Sequence, residues 1–230
     1  MPVVVETGSK RVFASSIDWP GWSRGGRQEL DALEALFSYA PRYAPVARRA
    51  RLAFSEPDDV SELKVTERLR GNAGTDFGVP SLGPASDQEP MGEAEIERQL
   101  ALLKAAWQTF DDVAAGAEGV ELRKGPRGGG RDLGKIRRHV RESEEAYLTQ
   151  LGSRPPKPVR NDDDGGAVRL RDAMVEALTA SVGGRPLANP GAPKRPWSPR
   201  YVLRRTIWHA LDHAWEIEDR ARPASEEATT

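Results

Sequence analysis

Residues 198–220 read SPRYVLRRTIWHALDHAWEIEDR. Serine followed by proline is the pair expected at a helix start, Ser198 as N-cap and Pro199 at the first helical position. Leu203, Ile207, Ala210, Ala214 and Ile217 then recur at helical spacing. The stretch therefore predicts an amphipathic helix from about Pro199 to Arg220. His209 and His213 lie on it four residues apart, on one face, with Cβ atoms roughly 5–6 Å from each other. They sit beside the apolar stripe, on the flank of Val202 and Thr206, so they can point toward other helices.

Working back toward the N-terminus, three further stripes have the same period. Ile96, Leu100, Leu103, Trp107, Phe110 and Ala114 are spaced 4, 3, 4, 3 and 4, which makes a seam for packing helix on helix. The loop Gly116 to Gly130 follows. Asp132 is a plausible N-cap for a helix carrying Leu133, Ile136, Val140, Tyr147 and Leu151, which Gly152 and Pro155-Pro156 stop. After Asp162-Asp163-Asp164 and Gly165-Gly166, a helix with Val168, Val175, Leu178 and Val182 runs to Gly183-Gly184. Four stripes are buried together most simply in a four-helix bundle over residues 93–221. Residues 222–230 read as a disordered tail.

The N-terminal portion has a different period. Val3-Val4-Val5 and Arg11 to Ile17 read as strands turning at Gly8-Ser9, and Leu63 to Leu69 as a further strand. Trp19-Pro20-Gly21-Trp22 and Gly25-Gly26 interrupt the pattern. From Gln28, the residues Leu30, Leu33 and Phe37 mark a helix that Pro41 and Pro45 end or kink. Residues 1–70 thus form a small α+β unit. Residues 71–92 hold too many glycines and prolines for a regular element and read as a linker or a long ordered loop. The fold class expected is α+β, a small α+β unit followed by a four-helix bundle.

Composition narrows the chemistry. The 230 residues carry 34 Lys+Arg against 35 Asp+Glu, a balance that gives no global attraction to nucleic acid or an anionic membrane. The absence of cysteine excludes disulfides, thiolate metal sites and cysteine nucleophiles. No signal peptide or membrane span can be read, and the expectation is a soluble cytoplasmic protein.

Only three histidines occur, His139, His209 and His213, all on bundle helices. Three imidazoles with one position left over are what an open metal site requires. The bland alternative is that the His209/His213 pair is accidental surface or a satisfied core pair. Asp212 and Glu216 could accept the ring N–H groups, or could be solvated charges. Ala210 stands where a zincin helix has its glutamate base, which disfavours a peptidase of that kind.

The helix DLGKIRRHV at 132–140, continuing Glu144-Glu145-Ala146-Tyr147-Leu148, followed by a last helix with His209-x-x-x-His213, resembles the DinB/YfiT-like metal-binding superfamily. The resemblance covers about residues 93–221. It implies a four-helix bundle with His139, His209 and His213 as ligands of one divalent ion, zinc or nickel. It also implies a metal-dependent hydrolase, or a transferase using a low-molecular-weight thiol such as mycothiol, bacillithiol or glutathione. The long loops between helices depart from that family's compact pattern. Over residues 2–50, two strands, Pro20-Gly21, Gly25-Gly26 and then Leu33-Glu34-Ala35-Leu36 are similar to the HicB-like antitoxin fold.

Arg123 to Arg141 contains eight basic residues against Asp132 alone, and Lys194 to Arg205 adds five with no acid. Both runs lead into the histidine-bearing helices. They read either as solvated surface or as a basic rim, with Arg138, Arg141 and Arg205 binding a small anionic substrate. Nucleic acid is an unlikely partner, since Gly128-Gly129-Gly130 lacks the residues of a phosphate loop; a homodimer is possible. The functional expectation is a metal-dependent transferase or hydrolase. The alternative is a non-catalytic binding or regulatory module whose bundle is scaffold.

Overall fold

A computed structural model of the chain describes residues 1–124, 130–157 and 163–221, with the side chains of 163 and 164 left aside. The tail at 222–230, Arg127, Asp162 and the Gly128-Gly129 part of the basic loop lie outside the described residues. The architecture is α+β with a helical C-terminal part.

Four strands open the chain or return to it: β1 (Pro2–Thr7), β2 (Val12–Ser16), β3 (Ser23–Gly26) and β4 (Lys64–Arg70). Their order is β3-β2-β1-β4, with β1 antiparallel to β2, β2 antiparallel to β3, and β4 parallel to β1. Val5 pairs with Ala14 and Thr7 with Val12, so Val3, Val5, Val12 and Ala14 share the face that joins the main core. β3 reads SRGG and was expected only as a break. Nothing in its side chains favours a strand, and the strand exists through pairing with β2.

Between β3 and β4 come α1 (Glu29–Ser38) and α2 (Ala40–Arg49). The sequence suggested one helix that Pro41 and Pro45 end or kink. Instead the chain turns at Tyr39 and a second helix begins, with Pro41 in its first turn, where a missing N–H costs nothing, and Pro45 inside it. The fully buried residues of α1 are Ala32 and Leu36; of the expected stripe, Leu33 and Phe37 pack partly buried against the core, whereas Leu30 is 59% exposed.

The glycine- and proline-rich residues 71–92 contain α3 (Ala73–Phe77) and a 3-10 turn at Ala85–Gln88, and they are tied down at two points. The buried Glu6 carboxylate of β1 accepts hydrogen bonds from the Thr75 and Ser81 hydroxyls and from the Ser81 and Leu82 amides. Asp87, also buried, accepts from Arg204 at 2.8 and 2.9 Å. The segment is an ordered strap.

The four long helices are α4 (Glu93–Gly116), α5 (Leu133–Leu151), α6 (Asp163–Val182) and α7 (Pro199–Ala221). Asp132 caps α5, its side chain accepting from the Lys135 amide at 2.8 Å, and left-handed Gly152 closes it. Ser198 Oγ accepts from the Tyr201 amide at the start of α7. α6 begins earlier than Val168 and turns Leu170, Met174, Ala177 and Leu178 inward, leaving Val168 exposed. No helix among the described residues is long and apolar enough to cross a membrane.

α7 packs chiefly against α4 and α5 and is buried along most of its length. Each fully covered Leu or Ile on it contributes roughly 1.5–3 kcal/mol. The sheet and the four helices share one continuous apolar cluster. Gly21 makes that contact possible: at φ +92° it lies against α7, and a Cβ there would stand 2.5 Å from Ile207 Cγ2. Trp19 and Trp22 pack with Tyr43 and Phe54, and Trp22 donates its indole N–H to the Leu36 carbonyl at 2.8 Å.

Candidate metal centre

His139 comes from the middle of α5; His209 and His213 come from successive turns of α7. α5 packs against α7, with Ile136 and Val140 buried on the one and His209 and His213 on the other, and this packing brings the turns together. The ring centroids lie 4.9 Å (139 to 209), 5.1 Å (139 to 213) and 4.6 Å (209 to 213) apart. One nitrogen from each ring lies within 4.8 Å of the others.

The Nε2 atoms of His139 and His209 face each other at 3.2 Å. Two nitrogens each about 2.0–2.1 Å from a tetrahedral ion are about 3.3 Å apart, so this pair already has the spacing of two ligands. Burial, reinforced by His213, His139, Arg205 and Arg131, holds the His209 ring well below the usual imidazole range. Burial and the charge of Arg131 also lower His139. Both rings therefore keep a lone pair at neutral pH, the form a cation needs.

Glu216 and Asp212 separate clearly. Glu216 Oε2 takes the Nδ1 proton of His213 at 2.7 Å, which fixes the tautomer and leaves Nε2 as the lone-pair nitrogen. Burial alone would raise the Glu216 carboxyl. The hydrogen bonds from His213 and Arg220 outweigh it and hold the group below its ordinary value. Arg220 donates to Glu216 Oε1 at 2.6 Å and to the carbonyls of Arg123 and Arg131, so the α4–α5 connection holds at two points the arginine that braces Glu216. Asp212 points elsewhere, to Arg24 of β3 at 3.2 Å. One residue from His213 is about 100° around the helix, and that direction faces the sheet.

The donor set fits a borderline divalent ion: among the described residues it is three imidazoles with no carboxylate. His209 Nδ1 is buried without a hydrogen-bond partner among the described residues. His139 is only half-buried, and the cluster opens on its side. Glu216→Gln is expected to weaken metal binding about 10–100-fold while leaving the three ligands in place. Competition with a chromophoric chelator measures this.

The expected basic rim is mostly committed elsewhere. Arg205 is buried: it donates to the Pro80 carbonyl at 2.5 Å and to the Tyr147 hydroxyl at 3.4 Å, and it stacks over Trp208. Arg200 and Arg204 pair with Glu95 and Asp87, and Arg137 with Glu118. Arg138 is exposed on α5 and Arg141 half-buried. Two further residues flank the cluster. Tyr147 read only as part of an apolar stripe, yet its ring lies 5.9 Å from that of His209. Arg220 was legible, being one turn beyond Glu216.

No protein-family model, curated protein or solved structure matches the chain significantly.

Proposed function

We propose that α4–α7 are a DinB-like metal-binding bundle in which His139, His209 and His213 hold one divalent cation, zinc or nickel. On this reading the protein is a metal-dependent transferase or hydrolase acting on a small anionic substrate, with a low-molecular-weight thiol as one candidate co-substrate. The observation that carries it is the 3.2 Å approach of two Nε2 atoms from different helices, with the third imidazole beside them.

Such an ion, when bound, supplies a Lewis acid that favours the thiolate or hydroxide form of whatever occupies its remaining position. The chain's own residues do the rest. Glu216, braced by Arg220, fixes the tautomer of His213. Arg131 is exposed at the edge of the cluster, where its positive charge helps keep His139 neutral and favours an approaching anion. Tyr147 covers His209 on its buried side.

Metal analysis of protein purified without chelators tests the site. About one equivalent of zinc or nickel is expected for the parent and none for His209→Ala; a metal-free parent would refute it.

One observation favours a second reading, a non-catalytic binding or regulatory module with a HicB-like recognition unit and a structural ion: Arg205 is used internally. Cobalt substitution separates the two. If the ion is open, adding 2-mercaptoethanol introduces a thiolate-to-cobalt absorption band; if it is sealed, the spectrum does not change.

A further inference from the structure

On the side of α7 that faces α4, away from the imidazoles, lies a cleft of about 540 Å³. Its walls are the turn between β2 and β3, the Ala85–Gln88 turn, and α4 and α7. The volume is that of a small-molecule site. Three arginines and three carboxylates line it, and two of the pairs are closed. Arg200 grips Glu95 and two backbone carbonyls, and Arg204 grips Asp87 and two more.

The third pair is open. Among the described residues Arg98 has neither hydrogen bond nor ion pair; its guanidinium lies over the Trp19 ring, 4.5 Å from the centroid, which leaves its N–H edge uncommitted. Asp18, exposed and lining the same cleft, has no partner among the described residues either. Gln99, next to Arg98 on α4 and also lining the cleft, is only 8% exposed, and its Oε1 is buried with no donor among the described residues. A buried amide oxygen without a hydrogen bond is uncommon and needs an explanation.

A carboxylate alone would satisfy Arg98 and be repelled by Asp18; an amine alone would do the reverse. A ligand carrying both charges satisfies both and adds no net charge to walls that are already balanced. We propose that this cleft binds a small zwitterion of the α-amino-acid class, its carboxylate on the Arg98 fork and its ammonium toward Asp18 and the Gln99 amide.

Titration calorimetry of the full chain tests this with the standard L-α-amino acids, each compared with its des-amino acid and its decarboxylated amine. At least one amino acid is expected to bind with a Kd near or below ~1 mM, and both of its analogues about tenfold or more weaker. Arg98→Ala and Asp18→Asn should each weaken binding about 10–100-fold. Asp18 is exposed, so its variant remains a test even if Arg98→Ala fails to fold. His209→Ala should leave this binding unchanged, which keeps the result separate from the metal proposal. The proposal is overturned if no amino acid binds, if either analogue binds as tightly as its parent, or if the Asp18 variant binds undiminished.

Discussion

Arg204→Met is expected to destabilise the protein by about 3–5 kcal/mol, the loss typical when one member of a buried ion pair is removed. Asp87 is 1% exposed and accepts three hydrogen bonds from Arg204, which also donates to the Ser16 and Ile17 carbonyls. Methionine fills much of the space but leaves a carboxylate and two carbonyls without these donors. Urea unfolding of the variant against the parent gives the number. The double variant Arg204→Met/Asp87→Leu should recover most of the loss, since it removes the stranded charge. A loss below about 1 kcal/mol would mean that water reaches Asp87 in the variant.

The second large effect depends on pH. Glu144 of α5 is 2% exposed, with one oxygen 3.5 Å from Arg171 and the other without a hydrogen-bond partner. Burial pushes its carboxyl up to about 7, despite the attraction of Arg171. Unfolding returns it to its ordinary value, 4.5. Below that value both states hold the proton and no penalty exists. As pH rises toward 7 the unfolded chain loses its proton first, so stability falls, and above about 7 the loss is complete. A shift of this size corresponds to about 3 kcal/mol. Glu144→Gln should flatten that part of the profile. Unfolding free energies of both proteins at pH 5 and pH 7.5 decide it, and parallel profiles would place the charge in contact with water.

The four long helices were legible because each buries a stripe whose spacing repeats every turn; Ser198-Pro199 and Asp132 even marked where two of them start. The three histidines were legible for the same reason, since helix geometry alone puts His209 beside His213 and lets His139 meet them from a facing helix. What stayed hidden depends on distant partners. SRGG becomes β3 only because β2 is there to pair with it. Whether 71–92 is a linker or an ordered loop is decided by Glu6 and Arg204, far away in the chain, which tie it down. Asp212 and Glu216 were indistinguishable as neighbours of His213 until the sheet placed Arg24 beside one of them. The arginines read as a rim from their sequence neighbours, whereas Arg200, Arg204 and Arg205 find their partners on other elements.

The strap, α4 and α5 pack on α7, the last of these elements in the chain, and the sheet reaches it through the Gly21 turn, Arg24 and the Ser16 carbonyl. During synthesis at roughly 5–20 residues per second, everything else leaves the ribosome seconds before α7 does. Until then Gly21 has nothing to press against, Asp87 has no cation, and His139 waits alone. The nascent protein must hold an exposed greasy groove through that interval, a period in which chaperones or premature association would compete with folding.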